Sequence, residues 1–98
     1  MTQELLTIEM FNDKIGQDFV VEEPDLPAVN FTLTEVTPLR DFAKGPRPPF
    51  SIVFATRGIE VLPQRMYVLR HAALGLQPIL LVPIGRDGDA VIYEAVFN

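Results

Sequence analysis

The sequence predicts a mainly β fold of about six antiparallel strands, arranged as a small sandwich or a partly closed barrel with one short N-terminal helix. Three observations lead there. Apolar and polar residues alternate with period two over 29–34, the pattern of a strand with one wet face. Glycines and prolines punctuate the chain at strand spacing. With 98 residues and an apolar fraction of 48%, there is material for one core, and two cores would each be too small to hold together. A single domain over 1–98 is the expectation.

The helix is expected first. Leu5, Leu6, Ile8, Met10, Phe11 and Ile15 fall near helical spacing, and Gly16 follows as a left-handed stop. This places a helix over Ile8 to Lys14, with Thr7 as N-cap, Glu9 in the first turn, and Ile8, Phe11 and Ile15 as the apolar face. Asp18 to Glu22 reads as a first strand, ended by the loop that carries Pro24 and Pro27. Ala28 to Val36 reads as the second, with Val29, Phe31 and Leu33 inward.

Thr37 to Pro49 holds four prolines, one glycine and three basic residues, which suits an extended, polyproline-like loop. Strands resume at Phe50 to Thr56 and at Met66 to His71. Leu76 to Ile84 is apolar on both faces and reads as a central strand buried on two sides, with Pro78 and Pro83 outside its continuous ladder. A turn-rich segment, Gly85 to Asp89, joins it to a last strand, Ala90 to Phe97, as a hairpin.

Composition narrows the function classes. A formal charge of -5 and only eight Lys and Arg argue against nucleic acid or an anionic membrane as partner, since both require a basic face. The absence of cysteine excludes disulfides, thiolate metal sites and cysteine nucleophiles, and suits a reducing cytoplasm. Met1 to Met10 lacks the basic start and apolar run of a signal peptide, and Ile79 to Ile84 is too short to span a bilayer. A cytoplasmic location is expected.

Candidate chemistry is sparse. His71 is the only histidine, so any imidazole scheme depends on it, with Tyr67 on the same strand face and Glu94 as the polar partners of a barrel-mouth pocket. A strand-end histidine near the surface is the simpler reading. Alternation sends Tyr93 and Glu94 to opposite faces, so Glu94 meets solvent or pairs with a cation such as Arg70 or Arg86. Asp87-Gly88-Asp89 lacks the alternate ligands and closing glutamate of a calcium loop and reads as a turn. Ser51, the only serine, has no nucleophile elbow, and no glycine pattern cradles phosphate. No catalytic residue, metal or cofactor is expected. The 37–49 loop offers the best binding candidates, Arg40, Lys44, Arg47 and Phe50, for a groove on another protein.

The segments Phe50-Ser-Ile-Val-Phe54, Leu62-Pro-Gln, Met66-Tyr67, Leu74-Gly75, Leu81-Val-Pro-Ile-Gly85 and Tyr93-Glu-Ala-Val-Phe-Asn98, with Phe11, Ile15-Gly16 and Phe19, span most of the chain. Together they resemble a bacterial family of uncharacterised domains of about this length. The chain departs from that pattern at Arg65, where the family has glycine. The resemblance implies a structural or accessory role near phage-tail-like collar proteins and carries no catalytic residue. The sequence thus points to a non-enzymatic domain that associates with a protein partner or with its own kind. A small-molecule-binding or hydrolytic domain using Tyr67, His71 and Glu94 is the alternative.

Overall fold

The computed structural model describes residues 6–40, 48–58 and 60–97. One helical turn, α1 (Glu9–Asn12), precedes β1 (Asp18–Val21), β2 (Asn30–Pro38), β3 (Phe50–Arg57), β4 (Arg65–His71), β5 (Gly75–Asp87) and β6 (Ala90–Phe97). The strands form a closed antiparallel barrel in the order β1-β2-β3-β6-β5-β4, with β4 returning to β1. A sandwich is therefore not what forms. Closure rests on β1, which is only four residues long yet pairs Phe19 with Phe31 on β2 and Val21 with Leu69 on β4. Just beyond it, the Glu22 N–H donates to Val68 O at 2.8 Å and lengthens the seam by one bond.

Closing the sheet gives every strand one inner and one outer face. Phe19, Phe31, Leu33, Ile52, Phe54, Tyr67, Leu69, Ile79, Leu81, Val91 and Tyr93 fill the inside, each at 3% exposure or less. The interior is a packed core. At one end Phe11 plugs the barrel, its ring centroid 5.8 Å from Phe50, 5.9 Å from Phe97 and 6.1 Å from Phe19. At the other, the 60–64 segment folds beneath the barrel and is held by two phenols. Leu62 N–H donates to the Tyr93 hydroxyl at 2.8 Å, and the Tyr67 hydroxyl donates to Pro63 O at 2.5 Å.

The helix is shorter than its spacing predicts. It spans four residues instead of Ile8 to Lys14, and its N-cap is Ile8, with no side-chain capping bond, instead of Thr7. Of the predicted apolar face, Phe11 is buried and Ile8 half-buried, while Ile15 is 53% exposed. Phe11 alone of that face is fully buried, with Ile8 packed against the core beside it, and the chain turns away before Ile15 can follow. Gly16 does take a positive φ, +90°.

The strands match the sequence reading except where the two-residue period breaks. Between Leu33 and Glu35 the β2–β3 register slips, so Val36 returns to the inner side and the strand continues to Pro38. A second slip, between Pro83 and Gly85, bends β5. This strand is longer than predicted, running from Gly75 to Asp87, and it is not buried on two sides, because the outer wall of a closed barrel has no second layer above it. Leu76, Leu80 and Ile84 are accordingly 60%, 44% and 53% exposed. Both prolines lie within the strand. β5 pairs with β4 through Leu81 and with β6 from Val82, so each proline has a ladder on one side only and its missing donor is tolerated. The β5–β6 turn is tighter than the predicted loop: Asp87 pairs with Ala90 across Gly88-Asp89, with positive φ at Gly88 alone, as in a type II′ turn.

Candidate functional site

The barrel separates the three residues of the predicted pocket. Tyr67 and His71 both face inward from β4, but the Tyr67 hydroxyl reaches the 60–64 segment while His71 lies at the end plugged by Phe11. Glu94 is on the outer face of β6, in register with Val53 of β3 and Val82 of β5. The side chain is half-buried and makes no ion pair with another described residue. Arg70, one of its predicted partners, instead donates from Nε to Glu22 at 2.6 Å.

His71 is held from both ring nitrogens. Nδ1 accepts from the backbone N–H groups of Ala73 at 3.0 Å and Leu74 at 3.3 Å, which assigns the proton to Nε2, 2.7 Å from Gln17 Oε1. Burial disfavours its charged form, nearby Lys14 adds to this, and Asp13 opposes it, so the pKa is lowered. With the ring against Phe19 at 4.6 Å and only 5% exposed, this imidazole orders the β4–β5 turn and presents no free nitrogen to a ligand.

The loop candidates also divide. Lys44 and Arg47 lie outside the described residues. Arg40 is exposed where the chain leaves β2. Phe50 is fully buried in the aromatic plug, stacked on Phe97 at 4.7 Å, and its role as a surface contact is corrected to a core one. Its position explains this: Phe50 pairs with Pro38 at the base of the loop, and Leu39 N–H donates to Pro49 O at 3.0 Å, so the loop begins only outside this pair.

Two outer-wall features remain. A shallow groove of mixed character crosses β1 to β3, where Asp18, Asn30, Thr32 and Arg57 stand among Val29 and three alanines, with Thr32 Oγ1 donating to Asp18 at 2.8 Å. None of Tyr67, His71 and Glu94 lines it. On the opposite wall runs an apolar stripe along β5, made of Leu76, Pro78, Leu80, Val82 and Ile84, flanked by Met66 and Val68 of β4 and by Val96 of β6. Met66 is 55% and Val96 49% exposed, and Met66 pairs directly with Leu80. Sequence reasoning missed this stripe as a surface. Its signal was present in the double-faced apolarity of Leu76 to Ile84, but that pattern fits a central strand under a second layer equally well.

Among the described residues no three of His, Asp and Glu converge as a metal site. Fold and surface together define a small, closed, six-stranded antiparallel barrel with a solid core, whose chemically distinctive features lie on its outer wall. Residues 6–97 match the family described as Domain of unknown function (DUF6916), and the chain belongs to that family. No curated protein and no solved structure matches it.

Proposed function

We propose that this domain works by association with protein, as an oligomer or as an accessory to a larger assembly, and carries out no chemistry of its own. The observation that supports it is the apolar stripe on β5. Folded monomers seldom leave a contiguous row of large aliphatic side chains in water, and such rows mark contact surfaces. A place beside a phage-tail-like assembly is the specific form of this role that the family resemblance implies. The alternative, a pocket built from Tyr67, His71 and Glu94, has no geometric support, since Glu94 faces away from the other two.

Photo-crosslinking in the cell tests the reading. A photoreactive residue at Leu80 is expected to give discrete protein adducts, whereas one at Thr32 on the opposite wall gives none of them. A Leu80 probe without adducts, or with the same adducts as Thr32, overturns it.

A further inference from the structure

We infer that the occupant of the β5 stripe is a second copy of this chain, packed face to face about a twofold axis. The inference rests on the association reading above and names its partner.

The charges around the stripe carry the argument. Arg70 pairs with Leu76 near the start of β5, on the β4 side, and Glu94 pairs with Val82 farther along, on the β6 side. They therefore stand at opposite corners of the same apolar surface, with Pro78 and Leu80 between them. A twofold axis through that centre exchanges the corners, so Arg70 of each copy meets Glu94 of the other, and aliphatic side chains meet along the middle. An isologous interface requires this self-complementarity.

Each partner has capacity to spare. Arg70 engages Glu22 through Nε, and its two terminal nitrogens contact no other described residue. A guanidinium has five N–H donors and can hold a second carboxylate through that free fork. Glu94 sits half-buried amid Val53, Val82, Ile92 and Val96, with no hydrogen bond or ion pair to a described residue. A carboxylate in such surroundings gains from a cation delivered across an interface.

Size sets the strength. From Leu76 to Ile84 the stripe is about 27 Å long at the usual rise of a strand, with β4 paired beside it through Leu81 and β6 from Val82. Even with its charged rim, so narrow a surface lies below the roughly 800 Å² per partner of a standard interface, and pairing through it is weak and reversible.

Sedimentation velocity over micromolar to sub-millimolar concentrations tests this, with circular dichroism to establish folding. The wild-type chain should show a monomer–dimer equilibrium. Leu80→Lys, Arg70→Glu and Glu94→Arg should each be monomeric over that range. An equimolar mixture of Arg70→Glu with Glu94→Arg should pair again, because both corner contacts then join unlike charges. A wild-type chain monomeric at every concentration, a dimer that tolerates both single swaps, or folded swap variants that fail to pair on mixing overturns the inference. If a swap variant does not fold, Glu94→Gln and Leu80→Lys decide it, and a dimer undiminished in both is a refutation. A monomeric wild type whose Leu80 probe still captures a different protein refutes self-association and leaves the association reading standing. Monomer without adducts refutes both.

Discussion

His71 Nε2 lies 2.7 Å from Gln17 Oε1, and through this contact the end of β4 is tied to the segment that leads from α1 into β1. The same ring, through Nδ1, accepts two N–H groups of the β4–β5 turn. Only neutral imidazole can donate at one nitrogen and accept at the other. The folded pKa is lowered from 6.5, chiefly by burial. The unfolded chain therefore takes up the proton first as pH falls. The stability due to neutral His71 is complete above about pH 6.5 and is lost progressively as pH falls toward the folded value. Urea unfolding of the wild type should weaken from pH 8 to pH 5 more steeply than that of His71→Leu, which has no proton to bind. Parallel slopes would remove this account.

A second tie closes the barrel seam. Beyond Val21, β1 has ended, and Glu23 Oε1 takes the Val68 N–H at 3.1 Å, standing in for a strand partner. Its other oxygen accepts from Arg65 Nη2 at 3.1 Å, while Arg65 also reaches Asp25 at 2.9 Å and lies over the Tyr67 ring at 4.7 Å. Glu23→Ala leaves a backbone donor unpaired and should cost about 1–3 kcal/mol. Glu23→Gln keeps the acceptor and should cost less. Amide exchange at Val68 should accelerate in the alanine variant, and equal losses in the two variants would contradict the assignment.

How far the sequence disclosed this architecture follows from the range of each interaction. Strand positions were legible because alternation and turn residues are local: Phe31 and Leu33 inward, Gly88 at a turn, and His71 at a strand end, although the ring is buried and not near the surface, because its partners Gln17 and the β4–β5 turn close over it. Closure was not, since it depends on four residues of β1 finding β4 about 50 positions later, and on a glutamate whose place beside two prolines reads as solvated loop. Ile15 shared the spacing of Phe11, yet spacing alone could not show that the helix ends before Ile15 and leaves it exposed. The outer stripe was hidden for the same reason as closure: whether an apolar face is inside depends on what is stacked above it. Phe50 was grouped with the 37–49 loop as a contact although it opens the strand, and alternation alone did not show that its ring turns into the barrel end opposite Pro38.

Phe11 is the cork of the aromatic end, fully buried against Phe19, Phe50 and Phe97. Phe11→Ala should cost about 3–5 kcal/mol, a large share of the roughly 5–15 kcal/mol that holds a domain, so its urea midpoint should fall well below that of the wild type. Phe11→Leu refills part of the volume and should stay folded with a lower midpoint. If α1 were a dispensable appendage, urea midpoints of the alanine variant and wild type would coincide.

The two tyrosines at the opposite end allow a comparison between losing an acceptor and losing a donor. Tyr93→Phe keeps the ring but leaves the half-buried Leu62 N–H without its acceptor at 2.8 Å, and an unpaired N–H is rarely tolerated. Tyr67→Phe removes the donor to Pro63 O, but Pro63 is exposed and water can take the carbonyl. Expected losses are about 1–3 kcal/mol for Tyr93→Phe and about 1 kcal/mol or less for Tyr67→Phe, read from urea midpoints at matched slopes. Faster exchange of the Leu62 amide should accompany the first and be absent from the second. The reverse order of stabilities would mean that the 60–64 segment is held by the Pro63 contact, and that Leu62 is free to find another acceptor.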